Sequence, residues 1–213
     1  VTISGSVTNL GDRPFDYSFG ITNIAVDAAN PKYASAAGVL FNKDMSELIE
    51  FPGGLTGSYA IPNNVAKIGD FAFTSCTSLT GVTLPNTLTT IGSYAFEGCA
   101  GLTSVTIPNS VNNIGNVACS GCSSLPSMNV DASNPAYSSM NGVLFDKAQA
   151  TLLQLPGGLG GSYTIPNIVT SIGDSAFLSC VSLTNVAIPN NVTSIGVNAF
   201  VLCTSLTSIT VDA

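Results

Sequence analysis

The sequence predicts an α/β solenoid, in which short strands and turns wind repeatedly around one core. Three observations carry that reading: a 23-residue period, apolar residues held in fixed columns of that period, and a proline at the same place in five of the units. Ile61-Pro62 recurs as Leu84-Pro85 and Ile107-Pro108, then as Ile165-Pro166 and Ile188-Pro189. In phase with it run Leu79, Leu102, Leu125, Leu183 and Leu206, and then Val82, Val105, Met128, Val186 and Ile209. Further columns are Val65, Leu88, Val111, Val169 and Val192; Ile68, Ile91, Ile114, Ile172 and Ile195; and Gly69, Gly92, Gly115, Gly173 and Gly196. Ala72, Ala95, Ala118, Ala176 and Ala199 precede Phe73, Phe96, Phe177 and Phe200, with Cys119 in the expected Phe place. Cys76, Cys99, Cys122, Cys180 and Cys203 complete the unit. Self-similarity at a fixed period of this length is the mark of a repeat architecture, in which no coil can bury both its sides alone.

Each column has a physical reading. The Leu-x-x-Val-x-Ile stretch ends in period-two alternation, which is a short strand with Val and Ile inward. Stacked coils would pair these strands in parallel, about 4.8 Å apart, and the following Pro, lacking an N–H, ends each one. Val82–Leu84, Val105–Ile107, Val186–Ile188 and Ile209–Val211 are therefore expected to line one continuous sheet. Val-x-x-Ile-Gly is a second extended stretch, turned by a Gly that tolerates positive φ. The segment x-Ala-Phe-x-x-Cys-x-x-Leu has helical spacing, and Asp70, Ser93, Asn116 and Asp174 before it are good N-cap residues. Short helical turns are thus expected opposite the strands.

Two blocks break the rhythm. Residues 30–63 align with 134–167 without a gap, and 20 of the 34 positions are identical. Val39-Leu40-Phe41 and Leu48-Ile49-Glu50-Phe51 read as a hairpin around Asn42 to Ser46. Residues 26–60 and 130–164 are taken as enlarged, hairpin-bearing coils, and 1–25 as a degenerate first coil that keeps Val7, Leu10 and Ile21 but loses the Ala-Phe-Cys signature. Phe15 holds the place before the first insert that Cys119 holds before the second. Val211-Asp212-Ala213 repeats Val26-Asp27-Ala28 and Val130-Asp131-Ala132, so the parent protein is expected to continue into another Asn-Pro block.

The stretch IPNNVAKIGDFAFTSCTSLTGV and its copies resemble the BspA-like (Treponema-type) leucine-rich repeats over most of residues 61–130 and 165–211. The chain differs from the general leucine-rich consensus by placing Pro after the strand instead of relying on an Asn ladder. The resemblance implies a single leucine-rich-repeat solenoid over 1–213, of a family made mostly of bacterial or protozoan surface proteins, several of them associated with adhesion. It therefore implies a secreted or cell-surface location and a protein or matrix ligand, with a structural spacer that displays another domain as the alternative.

Composition narrows function independently. With 5 basic and 12 acidic residues the net charge is −7, which disfavours nucleic acid because phosphate binding needs clustered Lys or Arg. No apolar run approaches the ~20 residues of a membrane span. Histidine is absent, which removes the commonest general base and metal ligand. Neither a phosphate loop nor a nucleophile with a His partner occurs, so no enzyme, cofactor or metal is expected, and the chain is expected to be a monomer. The cysteine column is expected to hold buried free thiols, since stacked equivalent side chains point the same way; Cys119-x-x-Cys122 as a redox pair is the less favoured reading. Asp27 and Asp131 could hold calcium with Asn30 and Asn134, but Asx turns before Asn-Pro explain them more simply. Asn191-Val192-Thr193 is a lone glycosylation sequon.

The outward strand positions are the candidate binding residues: Thr80, Gly81 and Thr83; Thr103, Ser104 and Thr106; Thr184, Asn185 and Ala187; Thr207, Ser208 and Thr210. They are small and uncharged, without the Trp, Tyr or Arg that anchors many interfaces. The inserts add Tyr33, Tyr137, Tyr59 and Tyr163, which either face a ligand or pack on the coil beneath.

Overall fold

The computed structural model describes residues 1–11 and 13–211; Asp212 and Ala213, two of the three residues that repeat the start of an insert, lie outside them. The strands are short: β1 (Thr2–Ile3), β2 (Ala25–Val26), β3 (Tyr33–Ala36), β4 (Val39–Asn42), β5 (Glu47–Glu50), β6 (Gly57–Ala60), β7 (Lys67–Ile68), β8 (Leu79–Thr83), β9 (Thr90–Ile91) and β10 (Val105–Ile107). They continue as β11 (Asn113–Ile114), β12 (Met128–Val130), β13 (Tyr137–Met140), β14 (Val143–Asp146), β15 (Thr151–Gln154), β16 (Gly161–Thr164), β17 (Ser171–Ile172), β18 (Leu183–Ile188), β19 (Ser194–Ile195) and β20 (Ser208–Val211). Coil-to-coil pairing is parallel throughout, as in Val105 opposite Met128 and Val186 opposite Ile209. The repeat periodicity and the solenoid are therefore real.

The expected helical turns are not there: among the described residues no helix forms. One helical turn fixes several residues for a single bond, and stacking offers a better use for the same N–H groups. Phe71, Phe73 and Ser75 donate to the carbonyls of Ser93, Ala95 and Glu97 in the next coil, at 3.0, 2.7 and 2.7 Å. The chain turns between these bonds through two left-handed residues four apart, Phe71 (φ 62°) and Ser75 (φ 58°). Tyr94 and Gly98, Val117 and Gly121, Ser175 and Ser179, and Asn198 and Leu202 repeat the pair, and so do Arg13 and Tyr17 in the degenerate first coil. The expected N-caps serve the neighbouring coil instead: Asp70 accepts from the Ser93 N–H and Asp174 from the Val197 N–H, both at 2.7 Å.

The glycine column also has a different cause from the expected one. Its members are not at positive φ; a Cβ on Gly92 would lie 2.6 Å from the backbone of Gly69 and Asp70, and one on Gly115 only 2.3 Å from the Ser93 nitrogen. Glycine is required at Gly92, Gly115 and Gly196 because adjacent coils approach too closely for any side chain. Gly69 and Gly173, which lie on the inserts, have their nearest neighbour at 3.1 Å.

Each insert is a three-stranded meander rather than a single hairpin. β3 pairs antiparallel with β4 and β4 with β5, while β5 joins β7 in parallel; β13, β14, β15 and β17 repeat the arrangement. The first turn is two residues long with both at positive φ, Ala37 and Gly38 or Asn141 and Gly142, which matches the right-handed twist of the strands it joins. Strand alternation then makes the middle strand a partition. Leu40 faces a small cluster with Ile3 and Ile24, whereas Val39 and Phe41 face the large central core. In β14, Leu144 closes that central core from the other end, and Val143 and Phe145 open a third core that runs toward the last coil.

In the two larger cores the aromatic column stacks. Phe51, supplied by the insert, lies on Phe73 with ring centroids 4.9 Å apart, and Phe73 lies on Phe96 at 4.8 Å. At the break in the column, Cys119 is met by Leu144 and by the side chain of Gln154, leaving a cavity of only about 10 Å³. The insert thus lends the column both an apolar side chain, Leu144, and a polar one, Gln154.

Candidate binding face

The strand face is built by the inward Leu, Val and Ile, which turn the intervening residues out. Thr80, Thr83, Thr103, Thr106, Thr207 and Thr210 are exposed, and Thr184 and Asn185 are half-buried. Register places Thr83 opposite Ala60, Thr106 opposite Asn129, Thr164 opposite Ala187, and Thr210 opposite Ala187 on its other side. Several polar groups are used within the face itself. Thr103 and Thr207 donate from Oγ1 to the carbonyls of Thr80 and Thr184 at 2.9 and 3.0 Å; Asn185 links Ser162 and Ser208, each at 3.1 Å. Thr83, Thr106 and Thr210 have no side-chain hydrogen bond among the described residues, which leaves their hydroxyls to solvent or a ligand.

The expected single sheet is broken into β6–β8, β10–β12 and β16–β18–β20. The second break has a clear cause: the meander takes the edge of β12, with the Met128 N–H donating to Gly142 and the Val130 N–H to Ser139 Oγ. At the first break, β8 and β10 are held at one end by the Thr103 N–H on Thr80 O, 3.0 Å, and then part. The gap is a groove of about 340 Å³ lined by Val82, Thr83, Leu84, Ser104, Val105 and Thr106, with Asp131 at its margin. Periodicity alone does not reveal it, because the columns are unbroken through both strands.

The insert tyrosines are engaged in the joints. Tyr33 Oη accepts from the Leu10 N–H at 3.0 Å and Tyr137 Oη from the Ile114 N–H at 2.9 Å, each in the preceding coil. Tyr59 and Tyr163 lie half-buried against Phe73 and Phe177, and burial pushes both phenols up to about 12. Asn30 and Asn134 are buried and fully bonded: the amide of Asn134 donates to Pro108 and Val111 O and accepts from the Ala136 and Tyr137 N–H groups, at 2.8–2.9 Å. Asp27 and Asp131 make the expected Asx turns with Ala29 and Ser133. No cluster of three or more potential metal ligands occurs among the described residues. The amide nitrogen of the sequon Asn191 is taken up by Asn167 and Val169 O at 2.6 and 2.8 Å.

All six cysteines are free. Cys99 and Cys122 donate to the Phe73 and Phe96 carbonyls at 3.0 and 3.1 Å, and Cys203 to Phe177 O at 3.0 Å. Burial pushes Cys76 and Cys180 up to about 12; Cys122 is raised first by its hydrogen bond with Cys119 and then by burial. Such thiols are poor nucleophiles. Cys203, expected to be buried with the rest, is half-buried, because no further described coil covers it.

A second cleft, unforeseen in the sequence, lies between the first coil and the first insert. It measures about 260 Å³ and is lined by Arg13, Glu47, Glu50, Lys67, Asp70 and Phe71. Arg13 pairs with Asp16 at 3.0 Å and Glu97 at 3.6 Å and stands 4.2 Å from the Phe71 ring; Lys67 pairs with Glu47 at 2.8 Å. These charges are scattered along the chain, and only the winding collects them.

Parallel coils with this spacing define the chain as a leucine-rich-repeat solenoid. It belongs to the BspA type leucine rich repeat family, whose model matches six copies over residues 50–158 and 161–213. Among curated proteins none matches. Among solved structures the chain is similar to a leucine rich cell surface protein of Faecalibacterium prausnitzii, at 27% identity and TM-score 0.71, over 98% of this chain and 59% of that one. The pneumococcal vaccine antigen PcpA shares the fold at 21% identity and TM-score 0.67, over 98% and 49%. A leucine-rich repeat protein of Eubacterium ventriosum does so at 23% and 0.59, over 97% and 64%. The chain thus spans less than two thirds of the length of each.

Proposed function

We propose that this chain is a cell-surface binding module that takes a protein or matrix ligand along its strand face, centred on the groove between β8 and β10. The observation that carries this reading is the coincidence of that groove with Thr83 and Thr106, outward residues whose hydroxyls have no partner among the described residues. Kinship with a cell surface protein supports the location. The face offers hydroxyls and open backbone edges with Asp131 as its one lining charge at the groove, which suits an extended polypeptide better than a polyanion.

The competing reading is a spacer, favoured by the polar groups of Thr103, Thr207 and Asn185 that are spent within the face. The two separate in a binding assay on a panel of immobilised extracellular matrix proteins. A binding module shows saturable binding to at least one of them, lost in Thr83→Arg/Thr106→Arg and kept in Asn64→Arg/Asn112→Arg on another face. Absence of binding, or equal loss in both variants, favours the spacer.

A further inference from the structure

The joint between the coil of β11 and the second insert holds a cleft whose polar groups the fold leaves partly unused. It measures about 170 Å³ and belongs to the side of the β13–β14–β15–β17–β19 sheet, not to the strand face. Leu144 and Leu153 give it apolar walls, and Asn116, Tyr137, Gln154 and Asp174 line the rest. Gln154 is set deepest of these four, at 5% exposed. Its amide oxygen accepts from the Cys119 N–H at 3.3 Å and from the Ser120 N–H at 3.0 Å. Its amide nitrogen lies on the other branch, and its hydrogens find no acceptor among the described residues. A buried donor left without an acceptor is costly, so in a native fold it calls for a cause. The neighbours are also half used. Tyr137 Oη accepts from the Ile114 N–H at 2.9 Å but its own hydrogen has no acceptor among the described residues; Asp174 spends Oδ1 on the Val197 N–H at 2.7 Å.

The first joint shows how such a cleft is closed from within. There Arg13 and Lys67 line the wall, paired with Asp16, Glu97 and Glu47. Val117 and Ser171 stand in their places in the second joint, where no ion pair forms among the described residues. The groups left over there are mixed in kind. Gln154 and Tyr137 have hydrogens to give, Asp174 has an oxygen to receive with, and the Asn116 amide can do both. A cation would meet the donors of Gln154 and Tyr137, and an anion would meet Asp174. A hydroxyl donates one bond and accepts others, so a neutral compound with several hydroxyls satisfies both kinds at once. The leucine walls suit the C–H face of a saturated ring. The volume is below the ~300 Å³ at which drug-sized pockets begin, which leaves room for one ring and not for a chain.

We propose that the second joint is a binding site for a single neutral sugar unit, with Gln154 Nε2 and Tyr137 Oη donating to its hydroxyls and Asp174 accepting from one of them. This site is separate from the groove between β8 and β10, and neither depends on the other.

NMR titration of the full chain with glucose, galactose, mannose and N-acetylglucosamine, each also as its methyl glycoside, tests this. At least one sugar should give saturable shifts at the Gln154 side-chain amide and at the N–H groups of Ile114, Cys119 and Ser120, while Phe15 and Gly69 in the first joint hold still. Binding kept in the methyl glycoside marks the end of a glycan as the source, and binding lost there marks the free sugar. Gln154→Glu keeps an oxygen for Cys119 and Ser120 but removes the donor, so it should weaken the sugar by at least about tenfold. Asp174→Ala changes an exposed residue and should weaken it severalfold. Absence of these shifts with every sugar overturns the proposal, and so do equal shifts with sodium acetate or guanidinium chloride. Should Gln154→Glu fail to fold, Asp174→Ala decides alone, and an unchanged affinity there overturns the site equally.

Discussion

The chain builds one joint twice, in residues 11–71 and 115–175, and the copies differ in instructive ways. The hydrogen bonds to the backbone are kept. Asn30 and Asn134 each bond two carbonyls of the preceding coil, Tyr33 and Tyr137 each take one of its N–H groups, and Lys43 and Lys147 each donate to an alanine carbonyl at 3.2 Å. The rim is not kept. Arg13, Glu47, Glu50 and Lys67 in the first joint stand where Val117, Thr151, Gln154 and Ser171 stand in the second, and the cleft falls from about 260 to about 170 Å³. The buried Asn amides have to be matched atom for atom, so they repeat; the charges of the first cleft are matched by one another, so the second joint can replace them together.

The largest effect that could break this comparison comes from the middle strands. Leu144→Ala should lower the main denaturation transition by about 2–5 kcal/mol, because Leu144 closes the central core under Cys119. Leu40→Ala should leave that transition nearly in place and free the first coil alone, since Leu40 belongs to the small cluster. Urea unfolding followed by circular dichroism, with amide exchange to locate the loss, distinguishes the two; equal effects would mean that the inserts do not partition the core.

Next come the asparagines. Asn134→Ala strands two N–H groups and two carbonyls in a buried site and should cost about 2–4 kcal/mol. Asn30→Ala removes equivalent bonds at the weaker joint, so its cost should appear as local opening of the first coil rather than as a shift of the global midpoint.

Cys119→Phe is a smaller and sharper probe. With about 10 Å³ free beside Leu144 and Gln154, a ring has no room, and overpacking should destabilise by roughly 1–3 kcal/mol. A higher melting temperature would instead mean that the insert leaves the column unfilled. The smallest effect belongs to the face: Thr83→Ala and Thr106→Ala should each move stability by less than about 0.5 kcal/mol, as exposed side chains without partners do.

Much of this was legible in the residues. The 23-residue columns, the parallel strands, the free thiols and the existence of two enlarged coils follow from periodicity, because a stacked coil needs the same side chain at the same depth every time. Asn141-Gly142 also announces a two-residue hairpin turn, and with it the strand at Tyr137–Met140 that the single-hairpin reading omits. Other features had no local signal. Ala-Phe-x-x-Cys has helical spacing, yet its N–H groups bond to the next coil, and that choice depends on a neighbour 23 residues away. The glycine column looks like a turn signal but answers to the backbone of the adjacent coil. The groove between β8 and β10, the charge cluster around Arg13 and the contact of Gln154 with Cys119 join residues far apart in the chain. Sequence by itself determined the repeat, because a column is a property of spacing; only the tertiary structure decided what meets across the coils, because that depends on how each turn lies on the next.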